Sequence, residues 1–455
     1  MARILVDVRS SIGTVRRLNG VNLAPPLYAR KAGHVLDEPF RALKTPLVRL
    51  HDAPLDNPGM RLVDIQHIFG NFRADPADPD NYYFDQTDDY IANCLSLGSQ
   101  VSYRLGTSIE HSTRCYYAYP PADTRQWLEI ADRIIRHYNE GWNHGFNFGI
   151  RHWEIWNEPN LARNMWNADF SSYIRFYIEV ATELKRRFPS LLFGGPAFTG
   201  LGCLADPGTT IEDPSRARSD QERFLAGCRD AGAPLDFFSW HSYTADLAAL
   251  LRQPAAARRL LDFYGYPDCE LHLNEWHYFP ADWTRLRSDM VYKTEMMTGD
   301  AGLNGIDSAA FAAAALCGWQ DTPLTLSQYY TASAGGWGLW DRGTLRPYKT
   351  CHAMTAFGEM TEYPERLDAR SDHSEILPLA GRNADGQTAL LIALFRSAER
   401  EVEVEFTEEF QHSFRLRRLD AENNLAPEEV RSENRRIRIV KNPGSALFFL
   451  EENRH

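Results

Sequence analysis

Trp153-Glu154-Ile155-Trp156-Asn157-Glu158-Pro159-Asn160 is the stretch on which the reading of this chain turns. An apolar, strand-like run stops on a glutamate, and the proline behind it has no N–H with which to continue a β-ladder. Farther along, Glu270-Leu271-His272-Leu273-Asn274-Glu275-Trp276 has the same shape. A carboxylate at the C-terminal tip of a buried strand is where a (β/α)₈ barrel carries its chemistry. Two such tips from different strands, turned toward one another, are what cleavage of a glycosidic bond requires.

Outward from these stretches, strand-like runs alternate with helical ones, the pattern of an α/β fold with parallel strands. The expected strands are Gly20–Leu23, Leu47–His51, Val101–Leu105, His152–Asn157, Leu192–Gly195, Asp236–His241, Glu270–Glu275 and Ala309–Trp319. Between them, Asp123 can cap a helix whose apolar face carries Trp127, Ile130, Ile134 and Tyr138. A second helix, Ser171 to Phe188, is stopped by Pro189. The pattern predicts a (β/α)₈ TIM barrel over residues 16–358. Beyond about residue 360 the runs shorten to Leu390–Phe395, Glu401–Phe406, Arg415–Leu419, Arg436–Val440 and Ala446–Leu450, separated by turn signals such as Asn442-Pro443-Gly444. A small antiparallel β-sandwich accessory domain is expected over 359–455. Ile4, Val6 and Val8 alternate in the same way, so residues 1–15 are expected to join it as a strand.

With 44% hydrophobic and 24% charged residues in 455, the chain has an ordinary globular composition. The formal net charge of −12 and the lack of a Lys/Arg stripe oppose nucleic-acid binding. Seven scattered cysteines without metal-ligand spacing read as reduced thiols. The N-terminus shows no leader pattern and no run approaches the length of a membrane span, so a cytoplasmic location is expected. Glu110-His111 and His277 offer no compact trio of metal ligands, and no phosphate loop or dinucleotide fingerprint is present, so no cofactor or metal is implied. The expected partner is an oligosaccharide or glycoside. Oligomeric state, with a homo-oligomer among the options, stays open.

Position along the strands selects the carboxylates. Glu154 lies about 13 Å deeper than Glu158 on an extended strand, and Glu270 about 16 Å below Glu275, at about 3.3 Å per residue. Glu158 and Glu275 are therefore the candidate pair. Asn157 stands where it can bind a sugar 2-hydroxyl, and His51 where it can reach sugar hydroxyls.

The segment Trp-Asn-Glu-Pro-Asn at 156–160 resembles the acid/base motif of the clan A retaining glycoside hydrolases. The wider pattern is most similar to glycoside hydrolase family 39, which contains β-xylosidases and α-L-iduronidases. It runs through Gly20-Val21-Asn22, Val48-Arg49-Leu50-His51, Phe193-Gly194-Gly195-Pro196-Ala197, Asp236–His241, Asn274-Glu275-Trp276 and Gly335–Leu339. The resemblance implies that Glu158 is the general acid/base and Glu275 the nucleophile, with Arg49 beside the nucleophile. It also implies that Tyr243 orients Glu275, that His241 lies near the acid/base, and that Trp319 floors the sugar subsite at the end of the eighth strand. Asn274 is expected to shape the seventh-strand tip, while Trp166, Tyr278 and Trp337 read as structural rings first and as aglycone or rim contacts second.

The activity implied is that of a retaining, exo-acting, β-xylosidase-like hydrolase. The alternatives are another clan A glycosidase (α-L-iduronidase-like, β-glucosidase or β-mannosidase type) and a non-catalytic carbohydrate-binding protein on this fold. His51-Asp52-Ala53-Pro54 departs from the family's xylosidases, which tend to carry glycine after the histidine. The Asp/Pro-rich insertion Leu62–Tyr83 is placed to wall off one end of the site. An iduronidase would need a cation such as Arg342 or Arg346 for its substrate's carboxylate.

Overall fold

Strands of alternating inward and outward residues, returned by helices most of which bury one face, close on themselves in the computed structural model. It describes residues 1–24, 35–51, 61–110, 113–201, 214–299, 301–410 and 413–453, with the backbone alone over 214–219. After an N-terminal strand β1 (Ala2–Thr14), the barrel is formed by eight strands. These are β2 (Gly20–Asn22), β3 (Leu47–Leu50), β4 (Gln100–Leu105), β5 (His152–Ile155), β6 (Leu192–Phe198), β7 (Phe237–Thr244), β8 (Glu270–Tyr278) and β9 (Leu326–Tyr329). Each pairs in parallel with the next, and β9 returns to β2 through Gly20↔Gln328 and Val21↔Tyr329.

The helices follow their sequence signals. Asp123 accepts from the backbone N–H groups of Arg125 and Gln126, and the helix Thr124–Glu140 buries Trp127, Ile130, Ile134 and Tyr138 before Gly141 ends it at φ 73°. The helix Phe170–Arg187 buries Tyr173, Tyr177, Ala181 and Leu184. Such faces pack on the outside of the strands, so the main apolar core is a shell around the barrel.

One expected strand is a helix. Ala309–Trp319 falls in the helix Ile306–Gly318 and the turn after it, and the eighth barrel strand is β9. The run carries six alanines and no β-branched residue between 309 and 317, and alanine is the strongest helix former. It is apolar all round because it is buried all round, between the barrel and the C-terminal strands. Periodicity cannot separate such a helix from a buried strand.

Eight further strands follow: β10 (Glu365–Ser371), β11 (Ile376–Arg382), β12 (Thr388–Ser397), β13 (Glu401–Phe406), β14 (Phe414–Leu419), β15 (Asn424–Val430), β16 (Arg436–Val440) and β17 (Gly444–Glu452). With β1 they make a nine-stranded sheet in the order β15-β14-β17-β12-β11-β10-β1-β13-β16, antiparallel except between β1 and β13. Alternation along β12 divides its side chains. Leu390, Ile392 and Leu394 enter a core of the sheet's own, while Leu391, Ala393 and Phe395 join the barrel's shell. Among the described residues, no helix is long and apolar enough to cross a membrane.

Candidate active site

The barrel interior beneath the strand tips is charged rather than aliphatic, and Arg49 of β3 organises it. Its Nη1 donates to Glu275 Oε1 at 2.8 Å and to Asn22 Oδ1 at 3.1 Å. Its Nε and Nη2 donate to Glu154 Oε2 at 2.8 and 2.6 Å, and Nη2 also to Asn157 Oδ1 at 2.7 Å. All these groups are buried, and buried charge is tolerable only when paired and hydrogen-bonded in this way.

Glu154 is therefore not remote from the pair. β5 ends at Ile155, and Trp156 (φ 77°) and Glu158 (φ 44°) take left-handed backbone. Glu154 lies below them in the interior, as its place on the strand implies, and Arg49 links it to Glu275 and Asn157. Left-handed geometry at non-glycine residues is costly and gathers at functional sites. The Glu158 N–H is held by the Ala197 carbonyl at 3.0 Å. Glu154 Oε1 accepts from Ser239 Oγ at 2.6 Å and from Asn274 Nδ2.

β8 places Glu275 through an irregularity. Trp240 pairs with Leu273 and His241 with Glu275, leaving Asn274 as an extra residue. Consecutive strand residues face opposite ways, but across this bulge both Asn274 and Glu275 point inward, to Glu154 and Arg49 respectively. The second oxygen of Glu275 accepts from Tyr243 OH at 2.7 Å. His241 Nδ1 lies 2.7 Å from Glu158 Oε1 and 3.4 Å from Glu275 Oε2. One oxygen from each glutamate and one His241 nitrogen lie within 4.8 Å of one another.

The environments of the two carboxyls differ. Burial raises Glu158 to about 7, with Arg49 pulling weakly the other way. Glu275 instead receives a guanidinium N–H and a phenol O–H. Burial lowers His241 to about 4, against the opposing pull of Glu275, so this imidazole is neutral near pH 7. Tyr243 is pushed well above the usual phenol range by burial, then by Glu275, and stays a donor. His51 is held well below its ordinary value by burial, then by Arg49 and Arg104. Arg104 Nε donates to His51 Nδ1 at 3.3 Å, which leaves the imidazole proton on Nε2, 3.6 Å from Glu275 Oε1.

Of the nine residues that the sequence assigns to the catalytic pair and the sugar around it, eight meet here: Glu158, Glu275, Asn157, His51, Arg49, His241, Tyr243 and Asn274. Trp319 does not. It follows the helix Ile306–Gly318, which runs back to the strand starts, and its carbonyl accepts from Arg16 ahead of β2. Its buried ring packs edge-on against Trp276. The aromatic after the true eighth strand is Tyr330, whose ring centroid lies 6.1 Å from Tyr243 and 6.5 Å from His51.

Trp337 lies 5.6 Å from Tyr243 in the same aromatic group. Trp166 is core, its indole donating to Ser172 Oγ. Tyr278 faces the C-terminal sheet, accepting from Arg396 Nη2 at 2.6 Å. Arg342 and Arg346 are exposed. His111 and the loop after His51, Asp52-Ala53-Pro54, lie outside the described residues.

Sequence reasoning did not single out Asn22, Arg104, Asp64 and Tyr330 for the site, and it set Glu154 aside as the deeper carboxylate. Asp64, in the Leu62–Tyr83 insertion, accepts from Arg104 Nη2 at 2.7 Å and from Ser108 Oγ at 2.8 Å, and so steadies the residue behind His51. Asn22 at a strand tip, and the Tyr329-Tyr330 pair after a short strand-like run, were the signals available. Glu110 ties down the rim by accepting from the backbone N–H groups of Tyr116, Tyr117 and Ala118. Tyr116, Tyr117 and Tyr119 are exposed there.

Comparison with known proteins bears out the resemblance: residues 60–256 match the model for glycosyl hydrolases family 39. A β-xylosidase of Geobacillus stearothermophilus is 28% identical over 179 residues, 35% of this chain and 32% of that protein. The chain thus matches about a third of the length of the curated relatives found, a second β-xylosidase from Caldicellulosiruptor saccharolyticus included. Among solved structures, a glucosidase from Croceicoccus marinus superposes with a TM-score of 0.80 at 21% identity, covering 100% of this chain and 99% of that one. A monomeric β-xylosidase from Caulobacter crescentus gives 0.70 at 16%, covering 99% of both. At these identities the structural likeness establishes the fold.

Proposed function

We propose that this chain is a retaining glycosidase of glycoside hydrolase family 39, removing a terminal β-xylosyl-like sugar by double displacement. The observation that carries the reading is the Glu158–Glu275 pair, with oxygens within 4.8 Å across one pocket. Retaining enzymes hold their carboxyls about 5–5.5 Å apart, and inverting ones leave about 6.5–9.5 Å for a water.

In the first step a Glu275 oxygen bonds to the anomeric carbon as the bond to the leaving oxygen breaks. Glu158, protonated up to about pH 7, passes its proton to that oxygen. In the second step Glu158, now a carboxylate, takes a proton from water. The water oxygen bonds to the anomeric carbon and Glu275 is released. The Asn157 amide oxygen is occupied by Arg49, so its Nδ2 is the atom left to donate to a sugar hydroxyl. His51 offers its Nε2–H from the other side.

A panel of nitrophenyl β-xyloside, β-glucoside, β-mannoside and α-L-iduronide tests both activity and sugar, with the xyloside expected fastest. Proton NMR of the first product anomer should show retained configuration, and inversion would overturn the mechanism. Glu275→Ala should lower turnover about 10⁴-fold or more, with azide restoring release of an inverted glycosyl azide. Glu158→Ala should hurt poor leaving groups far more than activated ones, and equal losses would remove its acid role. Sugar binding by calorimetry without turnover of any glycoside would favour a binding protein.

A further inference from the structure

We propose that His152, Glu270 and His272 form a zinc site at the foot of the barrel, joining the two strands whose far ends carry Glu158 and Glu275. The inference rests on side chains at the strand starts and is independent of the proposed glycosidase activity.

His152 opens β5, and Glu270 and His272 open β8. These strands do not pair, since β6 and β7 lie between them. His152 Nε2 lies 3.1 Å from Glu270 Oε2, and His272 Nε2 lies 2.9 Å from the same oxygen. All three donor atoms fall within 4.8 Å of one another. A tetrahedral zinc with bonds of about 2.0–2.1 Å keeps its donors about 3.3 Å apart, so two of the three separations need open by only a few tenths of an ångström. His152 and Glu270 are 118 residues apart in the chain, and no local spacing announces the trio.

The surroundings hold the rings for this task. Phe237, which opens β7, stacks on His272 with centroids 4.4 Å apart and an angle of 12°. The same ring meets His152 edge-on at 5.8 Å. The His272 side chain is 2% exposed, while those of His152 and Glu270 are 15% and 32% exposed. An ion can enter from that side, and a water can complete the coordination. Two imidazoles and one carboxylate suit zinc, whereas magnesium and calcium take oxygen donors.

Binding exchanges hydrogen bonds for metal bonds. In a neutral imidazole that donates from Nε2 to Glu270, the proton moves through water to Nδ1 and the freed Nε2 lone pair takes the zinc. No net proton leaves the protein. Among the described residues, the other trio of possible ligands, Glu158, His241 and Glu275, belongs to the pocket already described.

The 455-residue chain, stripped with chelator, should bind one zinc by calorimetry and melt at a higher temperature with zinc chloride than without. Cobalt(II) in its place should give the strong visible bands of four-coordinate cobalt. Zinc affinity should fall roughly tenfold or more in both His152→Gln and Glu270→Gln, and persist in Glu158→Gln. Absence of zinc binding by the stripped chain would overturn the proposal and leave a hydrogen-bonded His–Glu–His trio. So would zinc binding unmoved by the first two substitutions or abolished by the third, or an equal thermal shift from magnesium. Should the variants not fold, weak octahedral cobalt bands in the unaltered chain would reject the site.

Discussion

Glu158 shows how one side chain couples activity and stability to pH. Its carboxyl titrates at about 7 in the folded chain against an ordinary value of 4.5, because burial disfavours the charged form. Folding therefore makes ionisation harder. The stability tied to this group is whole below about pH 4.5 and is lost as pH rises through about 7. The gap corresponds to about 3 kcal/mol at most. Glu158→Gln removes the ionisation, so its melting temperature relative to the unaltered chain should be higher at pH 8 than at pH 4. A difference that stays constant across that range would show that the carboxyl is not raised. On poor leaving groups, kcat/KM should fall with a basic limb near pH 7, as the acid loses its proton. The roles legible at this scale were those of residue types at strand tips. The part Glu154 plays was not legible, because the Arg49 guanidinium that ties it to Glu275 and Asn157 comes from another strand.

At the scale of the element, strand-to-strand contact turns on small residues as much as on apolar ones. A Cβ on Gly194 would stand 2.1 Å from the Phe237 carbonyl oxygen, in the ladder between β6 and β7. The obstacle is backbone, which cannot swing aside. Gly194→Ala should cost about 3 kcal/mol or more, read as a lower urea midpoint. Turnover should fall as well, since Ala197 on the same strand holds the Glu158 N–H. Elements with a one-sided pattern, such as Thr124–Glu140, were legible because half-burial writes itself into the sequence. The Ala309–Trp319 segment was not, because burial on every side erases the period by which helix and strand are told apart.

Across the whole molecule, the C-terminal sheet packs on the barrel, and strand β1 from the opposite end of the chain is built into it. Phe395, on the barrel-facing side of β12, meets Phe311 and Tyr278 at 5.3 and 5.9 Å. The next residue, Arg396, bridges to Asp307 at 2.9 Å with its side chain 53% exposed. These neighbours should contribute unequally. Phe395→Ala should cost about 3–5 kcal/mol through the cavity it leaves. Arg396→Ala should cost about 1 kcal/mol or less, because solvent screens an exposed ion pair. Urea unfolding of the two variants checks the order, and a larger loss for Arg396→Ala would show that the contact is held by charge.

What the sequence determined by itself was the alternation of strands and helices, the two glutamates at strand tips and most of the polar residues around them. Those features are local: strand ends, turns and amphipathic faces are set by neighbours a few residues apart. Only the tertiary structure decided that one guanidinium joins Glu154 to Glu275, that Asn274 is an extra residue in its ladder, and that His152 meets Glu270 and His272 at the foot of the barrel. These depend on strands far apart in the chain being closed into one ring, where register and curvature, not spacing, set which side chains touch.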